Sequence, residues 1–336
     1  MKNSVLKFIQ VNLHKAKQGQ IEIAARLRKL NKARDTFIAL IQEPMADKNR
    51  AILQPKSCQV FEKGPNPRAG IYVSNRLKAW NMETLSSPDV AVVQTRIQNR
   101  STLIISAYLD IQNKEVIPDV LTTAVEYALR KGLAIIIGMD SNAHSTSFGP
   151  VMNSRGEILD LFIAKYGLDI ENRGNTPTFC GRVCATFIDI TLTRGLSVTV
   201  KEWEVCTDYN GSDHNTIKFH TDMDYEKVES TWKWQDADWD KFHSLLKASY
   251  INVPHIIYQK DCDHLLTKYY KLLYRAMRQS IPRSQPKIID KNNPWWTPQL
   301  QQQRKTVSKL YRTATRFPSE RNKNRYKIAQ KRYAKE

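Results

Sequence analysis

Polar side chains stand at the ends of several short apolar runs in this sequence, where the chain would leave a sheet. Each such residue alone is most simply a turn or capping residue. Strand ends on one edge of a sheet can converge on a common cleft, however, and such edges commonly hold functional sites. The residues concerned are Asn12 after FIQV, Glu43 after IALIQ, Tyr108 after LIISA, Asp140 and Asn142 after AIIIGM, Asp189 within TFIDITL, and Asp213 with His214 between NGS and NTIKF. Their chemistry is complementary, and we expect them to meet in one site.

Asparagine, aspartate and glutamate supply hard oxygen ligands, which suit Mg2+ or Mn2+ better than zinc or copper. Hydrolysis of a phosphodiester requires a water molecule that loses a proton. It also requires stabilisation of the negative charge that develops on the phosphate and on the leaving oxygen. A carboxylate can take the proton, while a metal and cationic or hydrogen-bonding side chains hold the charge. The set contains a group for each task and predicts a metal-dependent phosphodiesterase.

The elements that must position these residues lie within the first 220 positions. Short runs rich in β-branched and aromatic residues predict strands, and apolar residues at helical spacing predict helices. The predicted strands are 5–12, 36–42, 70–74, 90–97, 102–108, 133–138, 185–193, 198–205 and 215–221, and the predicted helices are 20–30, 116–130 and 156–166. Because strands and helices do not alternate strictly, the pattern favours a mixed sheet system flanked by helices.

The charge is strongly positive and uneven along the chain. The net charge of +19 divides into +7 for residues 1–220, −3 for residues 221–270 and +15 for residues 271–336. A modestly basic body with a strongly basic tail predicts a polyanionic partner, and nucleic acid is the usual one. The five scattered cysteines fit a reducing compartment better than a disulfide framework. The sequence contains no apolar run long enough to span a membrane, and no membrane partner is expected.

An ordered series of motifs across about residues 5–220 resembles the exonuclease–endonuclease–phosphatase superfamily. The motifs are Asn12, Gln42-Glu43-Pro44, Ser106-Ala107-Tyr108, the run 138–144 (GMDSNAH), Thr176-Pro177-Thr178-Phe179, Ile188-Asp189 and Ser212-Asp213-His214. They look most like the apurinic-type endonuclease domain of non-LTR (LINE-type) retrotransposons, particularly arthropod ones. The resemblance implies an α/β fold, the family's four-layered αββα sandwich, with a C-terminal helical extension.

The resemblance also implies roles for the matching residues. Glu43 is similar to the family's principal metal ligand, with Asn12 close by, and the metal would be Mg2+, with Mn2+ as the alternative. Asp140 matches the residue that orients and deprotonates the attacking water. Asn142 matches a ligand of the phosphate or of that water, and Tyr108 matches a tyrosine that touches the phosphate.

The last motifs of the series carry the phosphate-binding histidine. His214 matches the histidine that contacts the scissile phosphate and stabilises its developing charge. Asp189 corresponds to the carboxylate that pairs with this histidine or lies near the metal, and Asp213 adjoins the site, where it would assist a metal. The predicted contacts with DNA are Lys15 and Lys17, which follow the first strand, and Thr178.

Residues 223–336 differ in texture from the rest of the chain. KWQDADWDKF and PWWTPQL, followed by basic helices, resemble the segment between endonuclease and reverse transcriptase in such polyproteins. We therefore expect an endonuclease-like domain over 1–222 and a basic helical linker over 223–336, cut from a longer chain that continues into a reverse transcriptase. Trp232, Trp234 and Trp239 could stack on bases, but packing between helices is the favoured interpretation.

The implied function is an endonuclease that nicks one DNA strand and leaves a 3′-hydroxyl, which primes reverse transcription at an insertion site in the nucleus. DNA would be the substrate, and element RNA would be a partner through the missing C-terminal portion. Two alternatives stay open: another phosphodiesterase of the superfamily, such as an abasic-site repair enzyme, and a catalytically decayed fragment that only binds nucleic acid. The basic tail argues against the first, and the presence of every predicted site residue argues against the second.

Overall fold

The computed structural model describes residues 5–47, 52, 55, 58–97, 100–181, 184–196, 199–222, 232–248, 259–283 and 298–335. Contacts along the chain separate two units, one of Met1–Lys227 with Ile289–Glu336 and one of Val228–Ile288. The first unit contains every residue that the sequence predicts for the site. Among the described helices, none has the length and hydropathy that crossing a bilayer requires.

The described strands all belong to the first unit. They are β1 (Val5–Asn12), β2 (Thr36–Gln42), β3 (Cys58–Phe61), β4 (Ala69–Ser74), β5 (Ala79–Asn81), β6 (Val90–Ile97), β7 (Arg100–Tyr108), β8 (Ala134–Asp140), β9 (Asp169–Ile170), β10 (Phe179–Cys180), β11 (Ala185–Thr186), β12 (Asp189–Arg194), β13 (Val200–Cys206) and β14 (Thr216–Asp222). The α-helices are α1 (Lys17–Lys32), α2 (Asp119–Arg130), α3 (Ser154–Tyr166), α4 (Trp239–Lys247), α5 (Gln259–Ser280), α6 (Pro298–Arg316) and α7 (Glu320–Lys335). Single 3-10 turns lie at Glu83–Leu85 and Trp234–Asp236.

Two six-stranded sheets form the body of the first unit. The first has the strand order β13-β14-β1-β2-β4-β3, and the second has the order β5-β6-β7-β8-β12-β9. In each sheet one central pair is parallel, β1 with β2 and β7 with β8, while the other pairs are antiparallel. The carboxyl ends of each parallel pair therefore reach the same edge of their sheet.

Apolar side chains bind the sheets and helices into four layers. Between the sheets, one core cluster includes Phe8 from β1 and Ile136 from β8. Leu27 of α1 packs in the cluster on the outer face of the first sheet. Val125 of α2 and Leu159 of α3 pack in the cluster on the outer face of the second sheet. The predicted αββα sandwich is confirmed.

Strand β8 lies at the centre of this packing, and all seven of its residues are buried. Its continuous apolar run reflects cover on both faces. Gly138 lets the first sheet approach closely, because a Cβ there would lie 2.5 Å from Leu40 Cδ1 and 2.8 Å from Gln10 Oε1. Because the sheets are this close, Gln10 Nε2 donates to the carbonyl oxygens of Met139 at 3.2 Å and Ile190 at 3.0 Å. The two sheets are thereby joined behind the predicted site.

Local signals set the helix ends. The Asn153 side chain accepts from the Gly156 N–H at the start of α3, and Gly167 ends that helix with a left-handed φ of 55°. Helix α2 begins at Asp119 and not at the predicted 116, because Pro118 occupies the N-cap in an extended conformation. A residue before proline disfavours helical backbone, which excludes an earlier start.

The predicted strand 185–193 is wrong as a single element. The chain leaves β11 after Thr186 and enters β12 at Asp189. The Thr178 hydroxyl accepts from the N–H groups of Ile188 and Asp189, both at 3.0 Å. These two N–H groups therefore do not take part in the hydrogen bonds of one continuous strand. Strand β11 pairs with β10, whereas β12 joins the second sheet.

The residues predicted as a linker divide between the two units. Helices α6 and α7 belong to the first unit, where Val307 and Tyr333 pack with Tyr209. In the second unit, the rings of Trp234 and Trp239 stack with centroids 6.3 Å apart. Trp234 and Trp239 are 51% and 46% exposed, so their packing between helices stays a prediction.

Substituting Gly138 by alanine should destabilise the sandwich. The added Cβ would force apart Leu40 and Gln10 in a filled space, and such overpacking typically costs about 1–3 kcal/mol. Urea unfolding measures the free-energy change. Gly19→Ala is the control, since its Cβ would come no nearer than 3.2 Å to Leu13 O, and its change should be smaller. An unaltered unfolding midpoint for Gly138→Ala would show that the two sheets can move apart at this point without a loss of stability.

Candidate active site

The strand registers bring the predicted residues to one edge of the sandwich. Tyr108 and Asp140 end the parallel strands β7 and β8 and lie opposite each other. Asp189 begins β12, which runs antiparallel to β8, and pairs with Asp140. In the other sheet, Asn12 ends β1 beside the end of β2, which Glu43 follows directly. Both sheets therefore contribute polar groups to the same edge.

The Asn12 amide joins the two sheets at this edge. Its Nδ2 atom donates to Asp140 Oδ2 at 2.8 Å and to Glu43 Oε2 at 3.2 Å. Asn12 is fully buried, and its Oδ1 atom accepts from the backbone N–H of His14 at 2.7 Å, which fixes the orientation of the amide. Two carboxylates from different sheets thus share one donor.

The backbone holds Glu43 in an uncommon conformation. Its φ of 43° lies in the left-handed region, which non-glycine residues seldom adopt. The Glu43 N–H donates to the Arg68 carbonyl at 2.8 Å, and the Glu43 carbonyl accepts from the Lys15 N–H at 2.9 Å. The Lys15 Nζ atom lies 3.8 Å from Glu43 Oε1, and the glutamate side chain is 16% exposed. These contacts keep the carboxylate at the mouth of the site, within reach of solvent.

His214 is buried between two aspartates. Its Nδ1 atom lies 2.9 Å from Asp189 Oδ2, and its Nε2 atom lies 3.9 Å from Asp140 Oδ2. The Phe179 ring packs edge-on against the imidazole, with centroids 4.9 Å apart. Because Asp189 occupies Nδ1, the Nε2 N–H is the one directed toward Asp140 and the centre of the site.

Burial and charge shift the proton affinities of this cluster. Burial lowers the pKa of His214, but the charge of Asp189 and its hydrogen bond outweigh burial and raise the pKa to about 9. Burial, and then the neighbouring Asp189 charge, raise the pKa of Asp140 to about 7. The imidazole is therefore held as a cation at neutral pH, while Asp140 changes protonation near neutrality in the metal-free protein.

A short loop holds His214 against the end of β1. Ser212 Oγ donates to the Asn12 carbonyl at 2.8 Å and accepts from the His214 N–H at 3.2 Å. Asn210 Nδ2 donates to the His214 carbonyl at 2.7 Å. Asp213, about one-third exposed, lies with Oδ1 3.6 Å from His14 Nδ1 at the rim of the site. The loop fixes the histidine backbone before any ligand arrives.

Asn142 and Tyr108 lie at the same edge, beside Asp140. Asn142 has a left-handed φ of 45°, donates its N–H to Asp140 Oδ1 at 3.1 Å and donates Nδ2 to the Leu109 carbonyl at 3.1 Å. Burial, followed by the charges of Glu43 and Asp140, raises the pKa of Tyr108 to about 12. Tyr108 is thus a neutral phenol, able to donate a hydrogen bond at this edge.

The three predicted DNA contacts differ in exposure. Lys15 and Lys17 are exposed, and Lys15 adjoins Glu43. Thr178 is 1% exposed, and its hydroxyl accepts from the backbone at Ile188 and Asp189. These contacts make Thr178 a support for the start of β12, and its buried hydroxyl is not placed to touch DNA.

Several supporting residues were not predicted. Arg68 binds the carboxylates of Asp89 and Asp110 and lies over the Tyr108 ring, 5.1 Å from its centroid. Arg155 Nε donates to the Asn142 carbonyl at 3.1 Å. Arg68 stands in a glycine- and proline-rich run, GPNPRAG, which marks a turn but gives no sign of a tyrosine partner.

Two overlapping groups of side chains could hold a divalent cation. Asp140, Asp189 and His214 offer ligand atoms within 4.8 Å of one another, and Asp189 Oδ1 is buried with no hydrogen-bond partner among the described residues. The second group is the predicted pair Glu43 and Asn12, next to Asp140. A cation bound by His214 Nδ1 would break its bond to Asp189, whereas Glu43 is partly exposed and supplies hard oxygens. The pair of Glu43 and Asn12 therefore fits Mg2+ or Mn2+ better than the group of Asp140, Asp189 and His214 does.

Comparisons with known proteins indicate the kind of domain that carries this site. Residues 102–218 match the family model described as "Endonuclease-reverse transcriptase". The chain is similar to the solved endonuclease domain of TRAS1, a telomere-specific non-LTR retrotransposon, at 25% identity and a TM-score of 0.54, covering 64% of this chain and 98% of that one. These two matches support an endonuclease domain of the exonuclease–endonuclease–phosphatase superfamily, of the non-LTR retrotransposon type.

The same fold occurs in a second solved structure. The catalytic domain of Xenopus laevis APE2 aligns with a TM-score of 0.50 at 15% identity, covering 65% of this chain and 92% of that one. No curated protein matches the chain. The endonuclease domain thus combines a widely shared sandwich with a cluster of Asn12, Glu43, Asp140, Asp189 and His214 at one edge.

The Asp189 charge should keep His214 protonated in the metal-free endonuclease domain. Nitrogen-15 NMR of the ring is expected to report an imidazolium at about pH 7.5 that loses its proton near pH 9. In Asp189→Asn the burial remains but the main raising charge is gone, so the ring should be neutral at about pH 7.5. Asp213→Asn removes a weaker, more exposed charge and should leave His214 protonated. A neutral ring in the unsubstituted protein would contradict the assignment.

Proposed function

We propose that the endonuclease domain hydrolyses one phosphodiester bond in one strand of duplex DNA and leaves a 3′-hydroxyl, with Mg2+ as cofactor and Mn2+ as the alternative. The observation that carries the proposal is the cluster in which Asn12 bridges Glu43 and Asp140 while His214 lies between Asp140 and Asp189. It places a proton acceptor, a cation and hard oxygen ligands within one small volume. Those are the groups that phosphodiester hydrolysis requires.

Asp140 has the position and proton affinity of a general base. Its pKa of about 7 lets the carboxylate accept a proton from water near neutral pH. Asn12 and the Asn142 N–H hold its two oxygens, so a water bound to it has a fixed direction. That water attacks phosphorus and its proton passes to Asp140. The P–O3′ bond breaks, and the leaving oxygen takes a proton from solvent, which gives a 3′-hydroxyl and a 5′-phosphate.

His214 and Tyr108 would stabilise charge on the phosphate. The imidazolium, fixed at Nδ1 by Asp189, directs its Nε2 N–H to the centre of the site. Preorganised donors of this kind act most strongly where water is excluded, and His214 is 4% exposed. The Asn142 amide and the Tyr108 hydroxyl are further donors, and Asp213 at the rim would assist a metal. Bound through Glu43, with Asn12 beside it, Mg2+ would neutralise charge on the phosphate and the leaving oxygen.

The biological role follows from the kind of domain. The likeness to the TRAS1 endonuclease domain supports a retrotransposon setting, in which the 3′-hydroxyl would prime reverse transcription of element RNA in the nucleus. Lys15 and Lys17 are exposed, and Lys15 adjoins Glu43, so both are suited to contact the DNA backbone. We propose that residues 1–222 form the endonuclease fold and that residues 223–336, whose helices α6 and α7 pack on that fold, lead toward a reverse transcriptase.

Nicking of a supercoiled plasmid with Mg2+ tests the catalytic assignment. Asp140→Asn and His214→Ala should each slow nicking by about a thousandfold or more, because each removes several kcal/mol of transition-state stabilisation. Asp169→Asn, on the exposed end of β9, and His220→Ala, on β14, are matched controls and should nick at the unsubstituted rate. Equal nicking by all variants would rule out this site. Much faster cleavage of an abasic duplex than of an intact one would instead indicate repair.

The nature of the nicked end is a separate prediction. A polymerase should extend the nick directly, without prior phosphatase treatment, because the P–O3′ bond is the one expected to break. Plasmid nicked by an enzyme that leaves a 3′-phosphate serves as the negative control. Extension that requires phosphatase would show that the other phosphate ester bond breaks.

A further inference from the structure

Helices α6 and α7 form a hairpin that is fastened to the sandwich by buried polar contacts. Glu22 of α1 is fully buried, and it accepts from Arg304 Nε at 2.6 Å and from the Tyr333 hydroxyl at 2.8 Å. Val307 and Tyr333 are 1% and 3% exposed and pack with Tyr209. A buried carboxylate held by one residue from each helix fixes the hairpin in place.

The hairpin adjoins the loop that carries His214. The Tyr311 hydroxyl donates to Asn215 Oδ1 at 3.0 Å, and Asn215 directly follows His214. Asn215 Nδ2 in turn donates to the Pro177 carbonyl at 2.8 Å. Arg312 NH1 lies 3.7 Å from Asp208 at the start of the same loop. A nucleic acid whose phosphate reaches His214 would therefore pass close to α6.

The hairpin is strongly basic. Residues 298–335 contain twelve lysines and arginines and one acidic residue, Glu320. Four of these basic residues are exposed and recur along α6 at the spacing i, i+4, i+7, i+11. They are Lys305, Lys309, Arg312 and Arg316. That spacing places them on one face of the helix. We call these four residues the α6 stripe.

We propose that the α6 stripe binds the backbone of duplex DNA beside the scissile phosphate. This inference rests on the proposed function for the identity of the substrate. Eleven residues of helix rise about 16 Å, which matches about five phosphate spacings along one strand. The long, solvated side chains suit contact with phosphates, which binds DNA without reading its sequence. The stripe would hold the duplex while His214 and Asp140 meet the phosphate.

Equilibrium binding of the full chain to a labelled duplex, without metal and at several salt concentrations, tests the proposal. Replacing all four stripe residues by glutamine should lower the magnitude of the slope of log K against log salt by about 3.6, since each phosphate contact contributes about 0.9. Binding at about 0.1 M salt should weaken about tenfold or more. Fluorescence anisotropy gives both quantities.

A second quadruple variant separates the stripe from net charge. Arg100, Arg130, Lys131 and Lys165 are exposed, and they too comprise two lysines and two arginines. Arg100 and Lys131 lie near the starts of β7 and β8, about 20 Å along the strands from Asp140. Their replacement by glutamine should leave the salt slope near that of the unsubstituted protein. An equal loss in both variants would overturn the proposal, because net charge alone would explain it.

Lysine acetylation read by mass spectrometry provides a test without substitutions. Duplex DNA should protect Lys305 and Lys309 but not Lys131 and Lys165. Unprotected stripe lysines would overturn the proposal, and so would protection by RNA in preference to duplex DNA. Both experiments exclude metal and measure binding alone. If the stripe residues do not bind DNA, the unsubstituted protein should still nick plasmid. If Asp140→Asn does not nick plasmid, it should still bind duplex DNA through the stripe.

Discussion

The active site depends on keeping two carboxylates buried close together. Asp140 and Asp189 are each 1% exposed, and neighbouring negative charges in a dry interior resist ionisation. Two groups offset this cost. His214 supplies a positive charge between the carboxylates, and the Asn12 amide donates to Asp140. Burial and the Asp189 charge raise the pKa of Asp140 to about 7 although His214 and Asn12 lower it, so the groups that offset the charge also set the proton affinity of the proposed general base.

This compensation works only if the two sheets keep a fixed offset, because Asn12 and Asp140 come from different sheets. Polar contacts behind the site hold that offset. Gln42 Nε2 donates across to Ser106 Oγ at 2.9 Å and to the Gly138 carbonyl at 3.1 Å, and Gln10 donates to two carbonyls of the second sheet. A buried amide that loses such partners costs about 1–3 kcal/mol. An apolar core alone would allow sliding that these directional contacts forbid.

The sequence was sufficient for features that depend on local patterns. The apolar run before Asp140 predicted a buried strand, and polar residues at strand ends predicted the site edge. The sequence was insufficient where contacts with distant residues determine the local structure. The break before Asp189 depends on the hydroxyl of Thr178, and the orientation of Tyr108 depends on Arg68, held by two aspartates from other turns. No periodic pattern of residues in the sequence predicts either contact.

Glu22 shows why the chain beyond 222 is more than a connection. It lies on α1 within a helix whose other buried residues are mainly apolar or amide side chains, and solvent does not reach it. Burying a carboxylate requires hydrogen-bonding or charged partners, and Arg304 and Tyr333, 282 and 311 residues later, provide them. Both ends of the chain thus complete one unit, and the hairpin lies where Tyr311 contacts the residue after His214. A basic surface placed there by buried contacts has a fixed position relative to the catalytic edge, which a flexible linker would lack.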